Sequence, residues 1–132
     1  MKTLGRQLLV ELFDCDRDLL NDATLVKQAL LDAAQQANAT IIDAVLHKFS
    51  PQGVSGVVVI AESHIAIHTW PEYGYAALDI FTCGETVDPY LIMRLVARRL
   101  AAGEHKATLV ERGLIRHRIP AEERPVAQAR CG

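Results

Sequence analysis

The sequence predicts an α+β domain with two layers, in which a mostly antiparallel sheet carries two helices on one face. Segments with strand-like patterns outnumber helical ones, turn residues separate several of them by only a few positions, and just two segments have apolar residues at helical spacing. Short turns favour antiparallel neighbours. The predicted order is βαββββαβ within a single domain of residues 1–132, the length of one compact domain.

The strand predictions rest on apolar and β-branched runs that lie between turn signals. Proline and glycine mark turns at residues 50–53 and 71–74, so the segments on either side of each turn are expected to pair as hairpins. The predicted strands are residues 7–13, 40–49, 54–61, 64–69, 75–82 and 106–112.

Each of the two helices has a start signal and a stop signal. Asn21-Asp22 can cap the first helix and Asn38 can end it, while Pro89 is placed to begin the second and Gly103 to end it. Both helices are expected on the same face of the sheet. Because the other face of so small a domain would need covering, we expect a homodimer with an αββα arrangement.

The composition excludes several classes of protein. A net charge of -2 argues against a nucleic-acid-binding protein, which would have a basic face. No apolar run reaches the length of a membrane span, and no apolar signal core follows the first residues. Cys15, Cys83 and Cys131 form an odd set without C-x-x-C spacing, which is typical of reduced thiols in the cytosol. A cytoplasmic protein is therefore expected.

Side chains capable of chemistry are concentrated between positions 62 and 83. The strand predicted there alternates, so His64 and His68 share one face. Together with Cys83 or Asp79 they offer ligands that zinc accepts. On a straight strand, however, positions four apart are separated by about 13 Å, which is too far for one ion to bridge.

Two further interpretations remain open from the residue types alone. Cys83 with His68 as its base would form a nucleophilic pair, although a lone Cys–His pair is a weak signal because free cysteines often fill the core. A purely structural interpretation places Ser63 and His64 in a hairpin turn and His68 in a half-buried strand.

Four motifs, taken in their order and spacing, carry more information than any single residue. The chain resembles the S-adenosylmethionine decarboxylase proenzyme family, in its small prokaryotic pyruvoyl-dependent form, from residue 4 to about residue 112. The motifs are P-x-G-V-S-G at 51–56, E-S-H at 62–64, H-T-W-P-E at 68–72 and F-T-C-G at 81–84.

The resemblance implies a proenzyme that cuts itself between Glu62 and Ser63, giving fragments 1–62 and 63–132. Ser63 would become a pyruvoyl group, which holds the substrate amine as a Schiff base and replaces PLP, with no metal required. By the same resemblance Ser55 assists processing as a hydrogen-bond donor and His68 removes the α-proton of Ser63. Cys83 would return a proton to the decarboxylated carbon.

The resemblance also implies a lyase that decarboxylates S-adenosylmethionine for spermidine synthesis. Phe49, Trp70 and Glu72, with Tyr73 as a further aromatic candidate, are expected near the cut, where aromatic faces suit adenine and a sulfonium and a carboxylate suits ribose hydroxyls. Two alternatives stay open: the same pyruvoyl chemistry on arginine or ornithine, and an inactive homologue that regulates an active partner.

Overall fold

In a computed structural model, which describes residues 3–114, the chain forms one sheet and one layer of helices. The strands are β1 (Thr3–Phe13), β2 (Thr40–Lys48), β3 (Val54–Ala61), β4 (Ser63–Trp70), β5 (Tyr75–Thr82) and β6 (Glu104–Leu114). The helices are α1 (Arg17–Leu20), α2 (Ala23–Gln36) and α3 (Pro89–Arg99), and Pro71–Tyr73 forms one turn of 3₁₀ helix.

All neighbouring strands of the six-stranded sheet are antiparallel, in the order β2-β3-β4-β5-β1-β6. The predicted fold class and the predicted order of strands and main helices are therefore confirmed. The short helix α1 and the 3₁₀ turn were not predicted, because segments of three or four residues are too short to show a periodicity.

The predicted helix starts are correct and one predicted end is not. The Asp22 carboxylate accepts from the backbone N–H of Leu25 at 3.1 Å at the start of α2, and Pro89 is the first residue of α3. Helix α3 ends at Arg99, before Gly103. Gly103 instead begins the return to the sheet, where its N–H donates to the Phe13 carbonyl at 2.9 Å.

The core lies between the sheet and the helices. Strand residues that face the helices alternate with exposed ones, and each large apolar side chain buried there contributes about 1.5–3 kcal/mol. The fully buried side chains include Leu8, Leu12, Ile65, Ile67, Leu78 and Ile80 from the strands, and Val26, Leu30, Ile92 and Val96 from α2 and α3.

The opposite face of the sheet, which we call the open face, carries exposed apolar side chains. Val45 pairs with Val57, which pairs with Ala66 on β4, so these residues form one row across the sheet. Val45 is 62% exposed, and Leu9 and Val59 are also exposed. His64 and His68 share this face with Ala66, as predicted from the alternation.

Thr69 joins the helix layer to the start of β3 on the buried side of β4. Its hydroxyl donates to the Leu20 carbonyl at 2.8 Å and accepts from the Val54 N–H at 2.9 Å. The residue is 6% exposed, so water cannot replace either bond. Beside it, the Asn21 side-chain oxygen accepts from the N–H of Gly53 at 2.9 Å.

We predict that Thr69→Val lowers the free energy of unfolding by about 2–4 kcal/mol, because two buried backbone groups lose their partner. Urea titration of the variant and the parent measures the change. Thr108→Val, on the exposed strand β6, is the matched control and should change stability by less than about 0.5 kcal/mol. Equal losses in both variants would show that the bonds of Thr69 contribute nothing.

Candidate active site

The turn between β3 and β4 places unusual strain on one backbone position. Only Glu62 separates the two strands, and Ser63, the first residue of β4, has a φ of +152°. Residues with a side chain rarely adopt this region, at a cost of about 1–3 kcal/mol. The strain therefore lies at the peptide bond that the sequence predicts to be cut.

Ser63 has the predicted acid as a close neighbour in the fold. In the register of β4 and β5 it lies directly opposite Thr82, and Cys83 follows Thr82 in the chain. We call the group Glu62, Ser63, Thr82 and Cys83 the cleavage end. Next to it, the rings of His64 and Phe81 stack with centroids 5.8 Å apart.

Cys83 is disulfide-bonded in the structure, which corrects the expectation that this thiol is reduced. A disulfide sulfur has no proton to give, so the predicted role of Cys83 as an acid requires the reduced form. Cys15 is a free, buried thiol. Its burial, and secondly the nearby charge of Asp14, raise the pKa of Cys15 to about 11, so it stays protonated and unreactive at neutral pH.

A second group of predicted residues surrounds a cavity at the other end of the β3–β4 hairpin. Ser55 Oγ and His68 Nδ1 form a hydrogen bond of 2.7 Å, and these two residues pair across β3 and β4. The cavity has a volume of about 300 Å³. We call it the dyad pocket; it is lined by Phe49, Gln52, Gly53, Ser55, His68, Thr69, Trp70 and Glu72.

The dyad pocket unites the predicted processing dyad with the three predicted substrate contacts. Tyr73, the further aromatic candidate, does not line it and is 76% exposed. Gln52 and Gly53 were not predicted from sequence. Their position inside a turn that returns directly to Ser55 was the available signal.

The structure does not bring the dyad pocket to the cleavage end within one chain. His68 is five positions after Ser63 on β4, and five strand residues span about 16 Å. The expectation that Phe49, Trp70 and Glu72 lie near the cut is therefore wrong for a single protomer. Antiparallel pairing causes this separation, because the start of β3 lies beside the end of β4.

Tyr75 supports one wall of the dyad pocket and was not predicted. Its hydroxyl donates to Glu11 Oε1 at 2.6 Å, and its ring centroid is 5.4 Å from that of Trp70. Burial first, and the bond to Glu11 second, raise the pKa of Tyr75 to about 12. Tyr75 therefore remains a neutral donor and holds its ring beside Trp70.

Neither a metal site nor a membrane-spanning helix is found in the part of the chain that the structure describes. Within residues 3–114, no group of three or more histidine, cysteine or acidic side chains is arranged to hold a metal ion. No helix among those residues has both the length and the apolar character needed to cross a membrane.

Comparisons with known proteins identify the family of this chain. Residues 6–113 match the family model described as S-adenosylmethionine decarboxylase. The chain is 54% identical over 127 residues to the S-adenosylmethionine decarboxylase proenzyme of Syntrophomonas wolfei, covering 96% of this chain and 98% of that protein. It is 52% identical over 124 residues to the proenzyme of the same name from Pseudomonas aeruginosa, covering 94% and 78%.

A solved structure resembles the whole fold. The crystal structure of the adenosylmethionine decarboxylase from Aquifex aeolicus superimposes with a TM-score of 0.80 at 36% identity, covering 90% of this chain and 98% of that one. The resemblance seen in the motifs is thereby confirmed along nearly the full length. The chain belongs to the S-adenosylmethionine decarboxylase family.

Proposed function

We propose that this protein is a self-processing, cytoplasmic carboxy-lyase that decarboxylates S-adenosylmethionine and so supplies the aminopropyl donor for spermidine synthesis. The observation that carries the proposal is the backbone of Ser63, whose φ of +152° strains the bond after Glu62. The family membership supports the substrate.

Self-cleavage needs only side chains of this protein and water. Ser63 Oγ bonds to the carbonyl carbon of Glu62, the amide bond breaks, and the Oγ proton passes to the freed nitrogen, which leaves an ester. A base then removes the α-proton of Ser63. The ester C–O bond on the Ser63 side breaks, and the main-chain carboxylate of Glu62 leaves as the new C-terminus of fragment 1–62. Hydrolysis of the resulting double bond releases ammonia and leaves a pyruvoyl group at the start of fragment 63–132.

The base must come from a second chain. His68 is separated from Ser63 of its own chain by about 16 Å, whereas a general base works within hydrogen-bond reach. We propose that two protomers pack their open faces together as an αββα dimer. In this dimer the dyad pocket of one protomer lies against the cleavage end of its partner. The two-fold axis repeats this contact, so both sites are completed in the same way. Exposed Leu9, Val45 and Val59 supply apolar area for this contact.

Each of these residues has a separate role in the decarboxylation. A pyruvoyl group formed from Ser63 would supply the ketone that holds the substrate amine and accepts the electrons left when carbon dioxide departs. Reduced Cys83, which directly follows Thr82, the strand partner of Ser63, donates the proton that completes the product. Phe49 and Trp70 hold the adenine between aromatic faces, and Glu72 accepts from the ribose hydroxyls.

The same pocket favours a nucleoside over arginine or ornithine. Two aromatic side chains line it, and Glu72 is the single acidic side chain among the lining residues that the structure describes. A pocket that binds a guanidinium or ammonium group would be expected to contain several carboxylates as hydrogen-bond acceptors. The chain also keeps Ser63, His68 and Cys83, which an inactive regulatory homologue would have no need to keep.

We predict that the wild-type protein is recovered as fragments 1–62 and 63–132, and that Ser63→Ala stays as one inactive chain, because the nucleophile is lost. Intact mass under denaturing conditions measures both. Ser50→Ala, in the exposed loop before β3, is the control and should be cut normally. A wild-type protein that stays whole yet releases carbon dioxide from S-adenosylmethionine would refute self-processing.

We predict that His68→Ala chains are cut only when they are co-expressed with Ser63→Ala chains, because the Ser63→Ala partner supplies the missing base. Different affinity tags and intact mass identify the cleaved chain. Co-expression with the Ser63→Ala/His68→Ala double variant should not restore cutting. Mixed dimers in which the His68→Ala chain remains whole would exclude a shared site.

We predict that decarboxylation requires a thiol reductant, because the Cys83 disulfide holds no transferable proton. With reductant present, Cys83→Ala should still be slower by about 10²–10⁴-fold, the loss expected for a missing general acid. The Cys15→Ala/Cys131→Ala double variant should retain activity. Carbon dioxide release measures all three, and near-normal turnover by Cys83→Ala would remove this residue from the mechanism.

A further inference from the structure

Thr82 is a buried hydroxyl whose position in the sheet calls for a partner. The residue is 2% exposed, and within the described range 3–114 its Oγ1 atom has no hydrogen-bond partner. Buried hydroxyls are nearly always bonded, because an unpaired one gives up water without a replacement. Thr69, the other buried threonine, makes two such bonds. If Thr82 only filled space, valine would stabilise the core better, because it has the same shape and no hydroxyl to leave unpaired.

The strand register places Thr82 beside the residue that is proposed to attack. Thr82 on β5 lies directly opposite Ser63 on β4. Side chains of directly opposed residues point to the same face, with their Cβ atoms about 4.5–5.5 Å apart. Because each Oγ atom extends beyond its Cβ atom, the two hydroxyls can approach to hydrogen-bond distance by rotation about χ1.

We propose that Thr82 is the positioning residue for the Ser63 nucleophile during self-cleavage, which rests on the function proposed above. Thr82 Oγ1 accepts a hydrogen bond from Ser63 Oγ–H and fixes the rotamer in which an Oγ lone pair faces the Glu62 carbonyl carbon. As the new C–O bond forms and the amide bond breaks, the Ser63 proton moves to the amide nitrogen. Thr82 begins and ends the step as a neutral hydroxyl.

This role and a packing role make opposite predictions for stability and cleavage. Thr82→Val keeps the shape and removes an unpaired polar atom, so stability should be unchanged or higher. If Thr82 positions Ser63, the same variant should nevertheless cut itself more slowly. A residue that only fills space would instead leave cleavage untouched, or would slow it together with a fall in melting temperature.

The experiment follows the intact fraction of freshly translated chain over time. We expect Thr82→Val to be cut about 10²-fold more slowly than wild type, the effect of losing one hydrogen bond to a reacting oxygen. Thr82→Ser and Thr82→Ala form a matched pair, because both lack the γ-methyl group and only serine keeps the hydroxyl. Thr82→Ser should be cut at close to the wild-type rate and Thr82→Ala should be slow.

Two further measurements separate the possible outcomes. Melting temperatures, taken in a Ser63→Ala background so that every chain is whole, should not fall with Thr82→Val. Hydroxylamine cuts an ester, so a stalled Thr82→Val chain that resists it has stopped before ester formation, as proposed. Equal cleavage rates for wild type and Thr82→Val, or for the serine and alanine variants, would overturn the role of Thr82. A wild-type chain that never cuts would instead overturn the proposed function.

Discussion

The one-residue connection between β3 and β4 is the constraint on which the rest of this molecule depends. With only Glu62 between the strands, Ile60 must pair with Ser63, and Ser55 must then pair with His68. The same short turn imposes the positive φ of Ser63. This short connection therefore both strains the Glu62–Ser63 peptide and separates it from the Ser55–His68 pair of the same chain.

Strain at a turn persists only where the flanking structure holds it in place. Ile60 precedes the turn and Ile65 follows it, and both are buried against the helices. Each contributes about 1.5–3 kcal/mol, which exceeds or matches the cost of about 1–3 kcal/mol at Ser63. The hydrophobic core thus holds a backbone geometry that Ser63 would not adopt in an isolated hairpin.

Sequence patterns predicted the elements better than they predicted the site. β3 and β5 were predicted to the residue, because β-branched runs end at clear turn signals. Motif spacing selected the candidate site residues, but periodicity within one strand carries no information on which residue of a neighbouring strand lies opposite. The grouping of Phe49 with the cut was wrong within one protomer for this reason, and the disulfide of Cys83 could not follow from an odd number of cysteines.

The strand order has a consequence for what a nick after Glu62 would do to the molecule. Fragment 1–62 contains β1, β2 and β3, while β4, β5 and β6 belong to the other fragment. Since β1 lies between β5 and β6, the two polypeptides are interleaved, and neither can leave without breaking hydrogen bonds along both edges of a central strand. A cut chain would remain one folded body, with its new terminus held where the turn had been.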